Sequence, residues 1–97
     1  MAHWKNCKMD SFYYTTAADT GHPCEVRMDG KEIVVSYHSE DGYVQYRGDN
    51  DGSGHFSLTA DAGDGKASLH NFKESPYLEG YWIESGQRGM WRITLID

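Results

Sequence analysis

The chain has 97 residues, with nine Lys and Arg against fifteen Asp and Glu, giving a formal charge of −6. That length gives room for one domain, residues 1–97, and the negative charge argues against nucleic acid, whose affinity depends on clustered basic side chains. No apolar run approaches the roughly 20 residues of a bilayer-spanning helix and no secretory-type apolar stretch opens the chain, so the expectation is a cytoplasmic protein with neither membrane nor nucleic-acid partner. No cofactor is expected.

Leu, Ile, Val and Phe together number fifteen, few for a folded chain. Thirteen aromatics, seven of them Tyr, make up the deficit, because each ring can bury about 150 to 250 Å². An aromatic-rich β domain is the consistent reading.

Residues 1–10 are read as irregular or as a short helical turn around Trp4. Ser11 to Ala17 is aromatic and β-branched, which predicts a strand. The turn chemistry of Asp19-Thr20-Gly21-His22-Pro23 centres a reversal near residue 20 or 21, which sets Cys24 opposite Ala17. Cys7 then lies about ten residues further along, roughly 33 Å away, and two thiols are expected rather than one disulfide.

Cys24 to Met28, Asp29-Gly30 and Lys31 to His38 form the plainest hairpin, since Asp-Gly readily takes the positive φ of a two-residue turn. Strands follow over Tyr43 to Arg47, His55 to Ala60, Lys66 to Phe72, Tyr77 to Glu84 and Gly89 to Ile96, with Gly, Asp, Asn and Ser between them. The fold class is all-β: an antiparallel meander of about eight short strands, closed as a small barrel or folded as a two-layer sandwich. Gly80 and Gly89 suit the bend points of such a barrel. A meander ending in a Gly80-Tyr81-Trp82 hairpin resembles small calycin-like barrels in general look, and that likeness implies architecture alone.

A weak internal repeat aligns Tyr46-Arg47 and Gly54 to Thr59 with Tyr81-Trp82 and Gly89 to Thr94. Convergence on good hairpin chemistry is the simpler explanation. Alternation places Ile33, Val35, Tyr37, Val44, Tyr46, Phe56, Leu58, Ala60, Ala67, Leu69, Leu78, Trp82, Trp91, Ile93 and Leu95 inside. Val34, Tyr43, Tyr77, Tyr81 and Ile83 fall on the opposite face, an apolar set that suggests a homodimer. Unpaired edges at the first and last strands offer a second route to association.

Three classes of site are legible. Asp49, Asp51 and Ser53 place oxygens at alternate positions, like the first half of an EF-hand calcium loop, but the twelfth position is Ala60 and no helices flank the loop. A solvated turn is the better reading. Alternate turns of a meander share an end, which gathers His22, His38, Glu40, Asp41, Asp61, Asp64, Glu84 and Arg88 at one rim. That set could serve a small hydrolase or isomerase, although ordinary polar turn residues are the favoured reading. Finally, the aromatics Tyr37, Tyr46 and Trp82 converge with Trp91 inside, where core packing is the favoured role for the two Trp, while Tyr43, Tyr77 and Tyr81 face out. These six, Tyr37, Tyr43, Tyr46, Tyr77, Tyr81 and Trp82, are the candidate ligand-binding residues. The leading expectation is a non-catalytic module binding a small molecule or a protein.

Overall fold

The structure, a computed structural model, describes residues 2–13, 18–40 and 42–96. Eight antiparallel strands follow one another around a closed barrel: β1 (Ala2–Tyr13), β2 (Ala18–Met28), β3 (Glu32–Ser39), β4 (Gly42–Asp49), β5 (His55–Ala60), β6 (Lys66–His70), β7 (Tyr77–Glu84) and β8 (Gln87–Thr94). The C-terminal half of β1 pairs with β8, from Lys8 opposite Thr94 to Tyr13 opposite Gly89. This closure removes the two edges through which a sandwich could pair with another chain. It also decides between the two architectures left open by the pattern of strands.

An eight-stranded barrel is just wide enough for its inward side chains to fill it. Here they do so in the lower and middle layers: Cys7, Val26, Ile33, Val35, Leu58, Leu69, Leu78 and Ile93 are all fully buried or nearly so. Every inward position expected on β3 to β8 belongs to this core or packs against it. Val34 is the exception on the outer face, at only 3% exposure. Its register neighbours are Arg27 and Arg47, whose aliphatic stems can cover an outward Val. The expected outer patch therefore lacks one member.

Two glycines show how the barrel turns. A Cβ at Gly80 would overlap the Ser68 carbonyl oxygen on β6, and one at Gly89 would overlap the Phe12 carbonyl oxygen on β1. Neighbouring backbones approach closely at both, which only a residue without a side chain permits.

The amino-terminal third departs from expectation. Residues 2–10 are strand rather than irregular or helical, and Asp19 to Pro23 lie within β2 rather than in a reversal. Gly21 takes φ +70° beside a register shift, and its N–H donates to Asp10 Oδ1 at 2.8 Å. Turn chemistry has here produced a bulge that twists a long strand. Phe12 and Ala18 are register partners, and Ala17, the expected partner of Cys24, lies outside the described residues. Cys7 stands directly opposite Cys24, with no disulfide between them. The thiols are adjacent rather than remote, and burial with the neighbouring thiol pushes Cys24 up to about 12.

The Asp29-Gly30 hairpin forms by a different device from the one expected. Gly30 is not among the residues at positive φ. Instead Asp29 Oδ1 accepts from the N–H groups of Lys31 and Glu32 at 2.7 and 2.8 Å, so the carboxylate organises the turn. The internal repeat holds only in its return strands. Phe56 and Trp91 both point inward, whereas Tyr46 is fully buried and its aligned partner Tyr81 is exposed. Opposite facing at aligned positions fits convergence, because a register change of one residue inverts every side chain.

Candidate functional site

The upper end of the barrel, where the β3–β4, β5–β6 and β7–β8 turns lie, is open. A cavity of about 550 Å³ enters there, walled by the rings of Tyr13, Tyr37, Trp82 and Trp91, with Met9 and Ser11 also lining it. Asp19, His22, Ser39, Glu40 and Glu84 supply its polar lining. Alternation explains the composition. On β7 the inward positions run Leu78, Gly80, Trp82, Glu84, so the last one before the turn is a carboxylate at the rim with an indole beneath it.

The rings form a connected set. Trp91 packs edge-on against Tyr46 and Tyr37 at centroid distances of 5.0 and 6.1 Å, and tilts against Trp82 at 6.2 Å. Tyr13 stands perpendicular to Trp82 at 5.2 Å, and His22 perpendicular to Tyr37 at 5.8 Å. Perpendicular and offset contacts of this kind suit the ring quadrupole. Trp82 and Trp91 are only 6% and 4% exposed, so they belong to the core and to the cavity wall at once.

Glu84 is held from below. The Tyr46 hydroxyl donates to Glu84 Oε1 at 2.9 Å, a bond to a charged acceptor that is stronger than its neutral counterpart. Gly65 packs on this pair, since a Cβ there would overlap the Tyr46 hydroxyl and come within 2.9 Å of Glu84 Oε1. Burial and then the Glu84 carboxylate hold Tyr46 well above the usual phenol range. The same two causes push Tyr37 up to about 12.

One feature of the wall is unsatisfied. Among the described residues, Trp82 Nε1 is the one buried side-chain nitrogen or oxygen without a hydrogen-bond partner. An indole N–H usually finds an acceptor when buried, and leaving it without one costs about 1 to 3 kcal/mol.

Of the rim residues expected from the sequence, the structure brings His22, Glu40 and Glu84 together in this mouth and adds Asp19. His22 Nε2 is 2.7 Å from the carbonyl oxygen of His38, while its Nδ1 stands 3.8 Å from Asp19 Oδ2, too far for a hydrogen bond. The others disperse. The His38 ring lies on the outside, 4.9 Å from Tyr43; Asp61 pairs with Arg47, whose other partner is Glu32; and Asp64 accepts from the Ser85 N–H at 3.0 Å, tying two rim turns together. Arg88 is exposed, and Asp41 lies outside the described residues.

The six aromatic candidates divide in the same way. Tyr37 and Trp82 line the mouth, and Tyr46 lies beneath it. Tyr43 borders an outer groove with His38 and Glu25 that shares His22 and Tyr37 with the mouth. Tyr77 carries the Arg92 guanidinium 5.4 Å above its ring, and Tyr81 is exposed on β7. Sequence reasoning missed Met9, Ser11 and Tyr13, although the period-two alternation of Cys7, Met9, Ser11 and Tyr13 with charged Lys8 and Asp10 was there to be read.

The calcium-like loop spends its oxygens on its own backbone. Asn50 Oδ1 accepts from the Gly52 N–H, Asp51 Oδ1 from the Ser53 N–H, and Ser53 Oγ from the His55 N–H. Among the described residues no group of three or more His, Cys, Asp or Glu is placed to share a metal ion. No helix among them is long and apolar enough to cross a membrane. Comparison with family models, curated proteins and solved structures gives no match to this chain.

Proposed function

We propose that this protein is a non-catalytic binding module that takes a small molecule into the open mouth of its barrel. The observation that carries the reading is the open cavity of about 550 Å³ walled by the rings of Tyr13, Tyr37, Trp82 and Trp91. That volume lies in the range of ligand pockets, and barrel mouths are a recurrent location for them. An aromatic wall with a few polar groups at one end suits recognition of a flat, amphipathic compound.

Acid/base catalysis, the competing reading, draws support from His22 sharing the mouth with Asp19, Glu40 and Glu84. Against it, the His22 ring is anchored by the His38 carbonyl, and Asp19 Oδ2 stands 3.8 Å from Nδ1, so the two do not form a hydrogen-bonded acid/base pair. A thermal-shift screen of a chemically mixed small-molecule library tests the binding reading, because anything that binds the folded state alone must raise its melting temperature. Hits whose effect is lost in Trp82→Phe support the mouth as the site. A screen without hits refutes the reading.

A further inference from the structure

The mouth is chemically one-sided. Its lining includes three carboxylates, Asp19, Glu40 and Glu84, and among the described residues no Lys or Arg. Four aromatic rings share the lining, and the faces of such rings carry the negative lobe of the ring quadrupole, which attracts organic cations. The Tyr46 hydroxyl engages Glu84 at Oε1, so the carboxylate is held in place while Oε2 can take an ammonium group.

Trp82 and Glu84 are successive inward residues of β7 and both line the mouth, so an aromatic surface lies directly beneath the rim carboxylate. A ligand satisfying both would carry a cation at one end and a flat apolar body below it.

We infer that the ligand of the mouth is a small arylalkylamine, bound as its ammonium ion at Glu84 and the rim carboxylates, with its ring among the aromatic side chains of the wall. This rests on the binding reading above and names its ligand class. The phenol side chains agree with it, since the Glu84 charge contributes to the upward displacement of both Tyr37 and Tyr46 and so marks the interior of the mouth as electronegative.

The test is isothermal titration at neutral pH and low salt with three compounds that share a 4-hydroxyphenyl ring and differ in terminal charge: tyramine (cation), tyrosol (neutral) and 4-hydroxyphenylacetate (anion). Tyramine is expected to bind at least about tenfold more tightly than tyrosol, with the anion weakest. Glu84→Gln, which keeps an acceptor for Tyr46, should reduce tyramine affinity by about tenfold and leave tyrosol within about twofold. Glu40→Gln, exposed at the rim, should produce a smaller loss of the same kind without touching the Tyr46 bond. Equal binding of tyramine and tyrosol, or preference for the anion, overturns the cation assignment while leaving the mouth a binding site. No binding of any of the compounds at about 1 mM overturns it as well, and the library screen then shows whether the binding reading falls with it.

Discussion

Trp91→Ala removes the ring on which the interior aromatic set converges. Trp91 is 4% exposed and packs on Tyr46, Tyr37 and Trp82. A buried Trp removes about 200 to 250 Å² from water, which at roughly 25 cal/mol per Å² sets an upper bound near 5 to 6 kcal/mol. Two effects lower it: the unfolded chain already buries part of that surface, and the vacated space adjoins an open mouth that water can enter. The expected loss is about 3 to 5 kcal/mol, in line with truncation of other buried Trp residues. For a chain of this size that corresponds to a drop in melting temperature of about 15 to 25 °C. Urea unfolding followed by far-ultraviolet circular dichroism measures it independently of the lost fluorophore. A loss below about 1 kcal/mol would refute the placement of Trp91 at the centre of the barrel, because only surface positions tolerate such a change so cheaply.

Stability should fall as pH rises beyond about 9 to 10, measured as urea midpoints across an alkaline series. Cys24, Tyr37 and Tyr46 all titrate higher in the folded chain than in the unfolded one, so their contribution is complete below the unfolded pKa and is lost as pH climbs towards the folded one; a flat profile to pH 12 would contradict their burial. Gly80→Ala should destabilise by about 2 kcal/mol or more, since a Cβ there meets the Ser68 carbonyl, whereas Gly30→Ala, with open space around it, should stay within about 0.5 kcal/mol. Similar melting temperatures for the two variants would show that the close approach is not real. Phe12, Met90 and Tyr81 are exposed and are successive register partners across β1, β8 and β7, and sedimentation at micromolar concentration is expected to show a dimer that Tyr81→Glu dissociates. A monomer, or a dimer indifferent to that change, rules out this face as the contact.

The alternation of β3 to β8 was legible in the sequence because each strand is short, bounded by turn residues such as Gly, Asp, Asn and Pro, and carries apolar residues at most of its inward positions. Ile33, Val35 and Tyr37 show this most plainly. β1 and β2 were not legible in the same way. Gly21 and Pro23 signal a turn in isolation, but pairing with β1 on one side and β3 on the other keeps β2 extended, and Gly21 expresses its preference as a bulge. Tertiary pairing overrode local chemistry there, and with it went the Cys7–Cys24 adjacency and the β1 wall of the mouth.

For the site, topology alone grouped His22, Glu40 and Glu84, since turns at one end of a meander must share a rim. What topology does not determine is the facing of each rim side chain. Asp61 turned outward to Arg47 and Asp64 to the Ser85 backbone, while Asp19, hidden within the misread reversal, joined the mouth. The partnerless nitrogen of Trp82 has no signature in sequence at all, because it depends on which acceptors the closed barrel leaves within reach.

The most direct test of the binding account is a nitrogen–proton correlation spectrum recorded during titration with tyramine. The three indole N–H signals belong to Trp4, Trp82 and Trp91, and assignment by single Trp→Phe variants separates them. The account predicts a progressive, saturable displacement of the Trp82 signal as the ligand ring packs beside its indole, with Trp4, at the far end of β1 from the mouth, unmoved. An unchanged Trp82 signal at saturating ligand, or shifts confined to outer-face residues around Tyr43, Tyr77 and Tyr81, would contradict it.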